Sequence, residues 1–488
     1  MYDLFGLDPS SYSIAINLLI RFIGLIYVVA YIPFLSQIIG LIGKDGILPA
    51  GDYLEFIKRR FGKKGFYYVP TLFWFGASDR ALLALIWSGI VLGVLLMFGV
   101  MPLVILLLLY IVHLSLSSVG QDFLGFGWEV FLMEITIACA LTCATSPFNI
   151  FGWINLNFLL LRFMFQSGAS KLLSGDKTWR QLTALSYHYL TQPLPNTMAW
   201  YFYQLPLWFH KCCVVGMFYM ELIVPLAIFT PPDVRLLVCI QLVGLQISIW
   251  FTGNFSYLNH MTVAFCVILL HNKYLEPFFG DAFGTMATSS PSPIVWQILI
   301  SFLGVILLGL QVVCFAQPFL RNRILQQIIV WIDSFRISTQ HGIFAVMTTQ
   351  RIEIVVEGSL DAIFWKEYLF FYKPQELSWR PRRISPFQPR LDWQAWFLPF
   401  RPFQYQWWFQ RFLTKLLQGS PAVLKLLKHN PFPEKPPLYI RVLAYDYQFT
   451  SYKEKAETGN WWKRRLLGAY AFPQRLFRHE GQTTDTAM

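Results

Sequence analysis

The 488 residues are 55% hydrophobic and only 14% charged, against roughly 45–50% apolar and about 25% charged in an ordinary soluble domain. The surplus of apolar side chains exceeds what one soluble core absorbs, which excludes a purely soluble chain, and the mean hydropathy of +0.47 agrees. The formal net charge of +12 sits mainly in loops and in the C-terminal third; beside a bilayer it reads as attraction to anionic lipid and orientation of loops, not as a nucleic-acid surface.

A spanning helix needs about 20 mostly apolar residues. Segments 12–42, 81–99, 101–120, 123–145, 152–170, 212–230, 234–252, 257–272 and 294–317 meet that rule. The opening MYDLFGLDPSS has no basic stretch and runs into an apolar segment too long for a signal peptide, so the first segment is expected to remain as a transmembrane helix. Gly99 and Pro102 predict a tight turn between the second and third segments. The 43–80 stretch carries Lys44, Lys58, Arg59, Arg60, Lys63 and Lys64 and then FYYVPTLFWF; it reads as a basic interfacial loop with a short helix lying on the membrane. The 171–211 stretch is a long aromatic, Pro-containing connection of the kind that carries function or caps a bundle. Residues 1–320 are thus expected to form an α-helical polytopic membrane bundle of about eight or nine spans.

After Pro318 the pattern changes. Residues 321–350 read as a linker or amphipathic helix. From 351 the period becomes two: Ile352, Ile354 and Val356 share a face, as do Tyr368, Phe370 and Tyr372, and alternation returns from Leu438. The Gly and Asp of EGSLD predict a hairpin between the first two strands, and a helix is expected at 405–418. A β-rich, sandwich-like soluble domain is expected over 351–470, followed by a polar, disordered tail at 471–488. The seven cysteines lie in or beside apolar stretches, none in the C-terminal domain and none as CxxC, so neither a disulfide scaffold nor a dithiol oxidoreductase is implied.

Ionisable residues inside spans are costly and usually face the bundle interior. Glu129 and Glu134 are five apart and do not share a helix face. Arg162 lies in the next segment, and Glu129, Glu134 or Glu221 is available to neutralise it; a register-fixing ion pair and an active centre both fit. Lys171, at the end of an apolar helix, is either a base with a lowered pKa or a snorkelling anchor. His188 sits in the aromatic connection. Asn254, Asn259 and His260 stand where a membrane segment starts and need hydrogen-bond partners or cap that helix. The histidines are scattered without an HExxH pair, so no metal is expected. With no GxGxxG, Walker loop or GxSxG, no cofactor and no serine nucleophile is expected. In the C-terminal domain RLDWQAWF holds Arg390, Asp392, Trp393 and Trp396, QWWFQRFL holds Trp407 and Trp408, and NWWKRR holds Trp461 and Trp462. Trp beside Arg suits a partner surface and lipid contact equally.

The run RFMFQSGASKLLSGDKTWRQLTALSYHYLTQPLPNTMAWYFYQLP (162–206) resembles the lipase maturation factor family. TGNFSYLNH, RIEIVVEGS, WKEYLFFYKP, SPFQPRLDWQAWF, LLQG, NPFPEKPPLYIRVLAYDYQFT and NWWKRR follow in the same order, so the resemblance covers about 120–467. It implies a multipass protein of the endoplasmic reticulum membrane, or of the inner membrane in a bacterium. It also implies a C-terminal domain that faces the lumen and contacts client secretory proteins such as lipases. The basic 43–80 loop, taken with an odd number of spans, would place that domain in the cytoplasm; the family expectation takes precedence because one re-entrant segment reverses the parity. More distantly the chain is similar to vitamin K-dependent carboxylase-like membrane proteins, through Ser167, Gly168, Lys171 and Trp179. That similarity implies an alternative, a membrane enzyme with Lys171 as base acting on an amphipathic or quinone-type substrate. A folding factor contacting the bilayer and secretory clients, but not nucleic acid, is the first reading. A transporter ranks third because no internal repeat is visible.

Overall fold

The computed structural model describes residues 7–283 and 290–475. The chain divides into two compact units. The first comprises Met1–Ser36, Ala50–Thr349 and Arg380–Gln388; the second comprises Gln37–Pro49, Gln350–Trp379 and Pro389–Met488.

The first unit is a bundle of apolar helices. Among the described residues six are long and apolar enough to cross a membrane: Pro9–Tyr31, Asp79–Met97, Pro102–Val119, Leu207–Phe229, Pro232–Thr252 and Ile294–Leu320. The protein is therefore a multi-pass membrane protein. The stretch expected as one span over 12–42 ends its first helix, α1 (Ser13–Tyr31), just before Pro33, whose ring and missing N–H break the ladder; a separate helix, Phe34–Ile42, follows. The basic 43–80 stretch contains a true helix, α2 (Ala50–Phe61), carrying its cations in the last turn, where they oppose the helix dipole favourably. Helices α3 (Asp79–Met97) and α4 (Pro102–Val119) are separate, joined through Gly99 in a left-handed conformation with Pro102 opening α4. Gly24 of α1 and Gly93 of α3 let these helices touch backbone to backbone: a Cβ at Gly24 would stand 2.6 Å from the Gly93 carbonyl.

At the centre lie α5 (Gly127–Cys143) and α6 (Ile150–Leu173). Asn149 caps α6 by accepting from Phe151 and Gly152 N–H groups. Both helices are buried on nearly all sides and carry polar residues inward, the arrangement expected where lipid cannot reach. The remaining spans are α7 (Leu207–Phe218) with its irregular continuation to Phe229, α8 (Pro232–Thr252) and α10 (Ile294–Leu320). The segment expected at 257–272 is a shorter apolar piece, Leu258–Leu269, beginning as α9 (Leu258–Cys266). Helix α11 (Arg323–Asp333) then precedes an irregular stretch to Thr349.

Among its described residues the second unit carries one antiparallel sheet of four strands: β1 (Arg351–Ser359), β2 (Lys366–Glu367), β3 (Tyr439–Phe449) and β4 (Trp462–Gln474), in the order β2-β1-β3-β4. The hairpin is present, Glu357 pairing with Glu367, but β2 is two residues long, and 368–373 runs on as irregular chain held by the Gln375 side chain. Central β1 is buried on both faces, and the charges it carries there are paired: Glu353 sits between Arg351 (2.6 Å) and Lys373 (2.8 Å), all within the core. The second layer is helical where a sandwich would place another sheet. Helix α12 (Trp407–Leu417) supplies Trp408, Phe409, Phe412, Leu413 and Leu416 to the core. Strand β4 continues to Gln474, so the start of the stretch expected as a tail is strand; residues 476–488 lie outside the described residues.

Candidate functional site

Among the described residues several polar centres lie inside the first unit, and four of them hold the residues singled out in the sequence. The sharpest is at Lys171. Its helix, α6, ends two residues later, and its side chain turns into the bundle. The ammonium donates to Glu221 Oε2 at 2.8 Å, to Glu221 Oε1 at 3.0 Å and to the Ser167 carbonyl at 2.9 Å. It also stands 5.5 Å from the centroid of the Trp179 ring, within cation–π range. Glu221 reaches it from a single π-helical turn, Tyr219–Ile223, between α7 and a 3-10 stretch. Such an interruption inside a helix is frequent at functional sites. The close approach needs Gly168: a Cβ there would meet Leu222 Cδ2 at 2.8 Å and Glu221 Cβ at 3.0 Å. Trp179 is fully buried and donates from its indole N–H to the Phe344 carbonyl. His188 stacks on Phe255 and meets Phe344 edge-on. Burial, with the Lys171 charge second, lowers its pKa to about 4, so the imidazole is neutral at physiological pH.

The second centre joins α5 and α6 to the stretch after α11. Arg162 pairs with Glu134, not with Glu129 or Glu221. Its other nitrogen donates to Ser338 Oγ at 3.0 Å and to the Thr339 carbonyl at 2.7 Å. Glu134 Oε1 accepts from the Thr339 N–H (2.8 Å) and hydroxyl (2.7 Å). His341 lies 3.5 Å from the same carboxylate, and burial lowers its pKa. Here a stretch without regular structure replaces its missing backbone partners with charged ones.

Glu129 belongs to a third centre. It accepts from Tyr257 Oη at 2.7 Å and from the Trp128 indole at 3.2 Å, and lies 3.1 Å from His113 Nε2. The hydroxyl of Tyr31 stands 3.2 Å from His113 Nδ1. The fourth gathers at the end of α8. Asn254 donates to the Leu194 and Arg382 carbonyls and accepts from the Ile384 and Ser385 N–H groups. Asn259 donates to Gln246 at 2.8 Å, and His260 meets the Trp250 ring edge-on.

The sequence-predicted membrane cluster thus separates into distinct centres: Lys171 and Glu221 meet beside Trp179 and His188, Arg162 meets Glu134, and Glu129 and the Asn254, Asn259 and His260 group stand in centres of their own. Sequence reasoning missed the partners Ser338, Thr339 and His341, and also Arg235, which is fully buried against Asn157, the Ile228 and Ile268 carbonyls and the Tyr12 ring. A charged residue near the start of an apolar helix was the available signal. Among the described residues no three His, Cys, Asp or Glu side chains converge to hold a metal ion.

In the second unit most residues expected at a partner surface are in the core. Arg390, Asp392, Trp393, Trp408 and Trp462 are buried. Asp392 accepts from the N–H groups of Tyr372 (2.6 Å) and Lys373 (3.0 Å), and burial pushes its pKa up to about 6. The Trp462 indole donates to the Trp379 carbonyl. Trp396 packs edge-on to Phe397 and Phe400, and Trp461 carries Lys455 over its ring. Trp407 alone of the eight is strongly exposed, at 61%, with the Arg411 guanidinium 5.0 Å from its ring centroid. At Trp407 and Trp408 the amphipathic helix α12 places one ring outside and the next in the core.

Two family descriptions match separate stretches of the chain. The family description "Lipase maturation factor transmembrane domain" matches residues 14–277, and "Lipase maturation factor C-terminal domain" matches 337–473. Lipase maturation factor 2 of Xenopus tropicalis is 31% identical over 574 residues, covering 92% of this chain and 80% of that protein. Lipase maturation factor 1 of Mus musculus is 31% identical over 508 residues, covering 94% and 86%. Lipase maturation factor 1 of Bos taurus is 30% identical over 495 residues, covering 93% and 88%. No solved structure matches. Both matched regions and these relatives lead to one conclusion: the chain belongs to the lipase maturation factor family.

Proposed function

We propose that this protein is a membrane-embedded maturation factor that assists the folding of secreted proteins such as lipases, binding its clients through the C-terminal unit. In a eukaryotic cell the compartment is the endoplasmic reticulum, with that unit in the lumen. The observation that carries the reading is Trp407, exposed on α12 with Arg411 beside its ring. An aromatic–guanidinium pair held on a rigid helix is the residue chemistry that dominates protein-binding energy. Phe364 and Phe472 are also exposed in this unit, at separate places on it.

The test is secreted lipase activity from cells lacking their own factor and supplied with this chain or with Trp407→Ala. Loss of activity at unchanged abundance of the factor supports the reading; full activity from Trp407→Ala/Phe364→Ser/Phe472→Ser overturns it.

Lys171 favours a second reading, the carboxylase-like enzyme, because a buried lysine beside a carboxylate at a helix interruption is a fair description of an acid–base centre. Against it, the three hydrogens of the ammonium have three acceptors within 3.0 Å. That arrangement suits an anchor between α6 and α7 better than a base awaiting a substrate proton.

A further inference from the structure

Helix α2 packs on one narrow stripe. Ala50, Leu54 and Ile57 are buried, at i, i+4 and i+7, Tyr53 beside them is half-buried, and the rest of its surface is open. On that open surface Lys58, Arg59 and Arg60, followed by Lys63 and Lys64, put five cations within seven residues, against two carboxylates at Asp52 and Glu55. Arg59 contacts Glu55 in a fully surface i,i+4 pair, which holds little energy and leaves the guanidinium available.

Apolar rings stand among these charges. Phe56 and Phe61 are exposed, with Arg60 within 5.9 Å of both ring centroids. Phe66 and Phe75 are exposed further along, Phe75 at 93%. A soluble surface has no reason to present so many rings beside so many cations; an interface between water and hydrocarbon does.

The bundle places this surface at such an interface. Thr71 donates to the Ser115 carbonyl at 2.9 Å and Leu72 N–H to Ser115 Oγ at 3.1 Å, close to where spanning helix α4 ends. Spanning helix α3 begins at Asp79, a few residues on. The Tyr67 hydroxyl donates to the Trp331 carbonyl in α11, which follows the end of spanning helix α10. Trp331 is itself 69% exposed. Three spans therefore emerge around one basic, ring-bearing belt.

We propose that this belt, residues 55–75 with α11 at its side, binds the anionic headgroups of the leaflet on which it lies, so that the protein discriminates lipids by headgroup charge. The rings enter the acyl boundary while the cations, on long stems, meet phosphate oxygens above it. Selection follows from charge complementarity: a zwitterionic headgroup offers the same phosphate with its charge cancelled by a neighbouring ammonium.

The test uses the full-length protein in mixed micelles holding equal phosphatidylglycerol and phosphatidylcholine, with retained lipids counted by native mass spectrometry. Wild-type protein is expected to retain phosphatidylglycerol preferentially. Replacing all five cations by Gln should abolish that preference, with a loss of roughly fivefold per cation at low salt. Should that variant fail to fold, Lys63→Gln/Lys64→Gln alters only a 3-10 turn with no buried residue and must still lower the preference partway. High salt should erase the wild-type preference, whereas Phe56→Ser and Phe75→Ser should weaken retention of both lipids alike. No preference in wild type, or an equal preference in the charge variants, overturns the proposal and leaves the cations to an acidic protein partner.

Discussion

Glu221 and Lys171 are 50 residues apart in sequence, yet their side chains meet at 2.8 Å inside the bundle, both almost wholly withdrawn from solvent. The pair is made possible by a π-helical turn on one side and by the absence of a side chain at Gly168 on the other. Breaking such a pair on one side leaves an uncompensated buried charge, which costs about 3–5 kcal/mol, while replacing both partners by apolar residues is often close to neutral.

Lys171→Met alone and Glu221→Leu alone should therefore each lower thermal stability in detergent severely, and the double variant should recover most of the loss. A double-mutant cycle measures the coupling. If the recovered double variant also supports lipase secretion, Lys171 is an anchor; if it is stable but inactive, the enzyme reading stands.

Gly168→Val tests the same contact sterically. Its added methyl groups meet Leu222 and Glu221 and should push α6 from the π-helical turn, at a cost of about 1–3 kcal/mol. The expected readout is a lower melting temperature with the charges themselves untouched. An unchanged melting temperature would mean that the turn yields freely.

Thr339→Val removes the hydroxyl that donates to Glu134 while keeping the side-chain shape. A hydrogen bond to a buried carboxylate is worth about 1.5–3 kcal/mol. The 334–349 stretch should open more often, seen as faster amide exchange there, with exchange in α5 and α6 little changed. Equal exchange in both proteins would assign its anchoring to Arg162 and Ser338 alone.

Asp392 makes a pH prediction for the second unit. Its folded pKa, about 6, lies above the ordinary carboxylate value of 3.8 because burial disfavours the charge. Between these values the folded state binds the proton that the unfolded state releases, so stability rises as pH falls through 6 and the gain is complete below 3.8. The window is about two pH units, or roughly 3 kcal/mol as an order of magnitude. Asp392→Asn keeps an acceptor for Tyr372 and Lys373 and should flatten this dependence; amide exchange at those two residues between about pH 3 and pH 7, which brackets the window, is the measurement. A slope equal to that of the wild type would assign the titration to another group.

The sequence by itself determined the bundle, the turn at Gly99 and Pro102, the helix near 405–418 and strands β1 and β3. Each rests on a local signal: about twenty apolar residues, a helix breaker, or a period of two or 3.6. It missed β4, because Trp462–Gln474 mixes Lys, Arg, Gly and Pro and shows no clean alternation; bulges in its pairing with β3 shift the register, and only the neighbouring strand holds it straight.

Polar residues in the spans were legible as inward-facing, since lipid tolerates no other place for them. Their partners were not. Whether Arg162 met Glu129, Glu134 or Glu221 depended on rotations of α5 and α7 that no local pattern encodes. Thr339 and His341 entered the same centre from a stretch with no periodicity at all. Likewise Trp beside Arg marked residues with the chemistry of a binding surface in the C-terminal unit, and tertiary packing then buried Trp408 while leaving its neighbour Trp407 outside. Composition and period report what each residue avoids, water or lipid; which residue it meets instead is a long-range contact, and only the folded chain decides it.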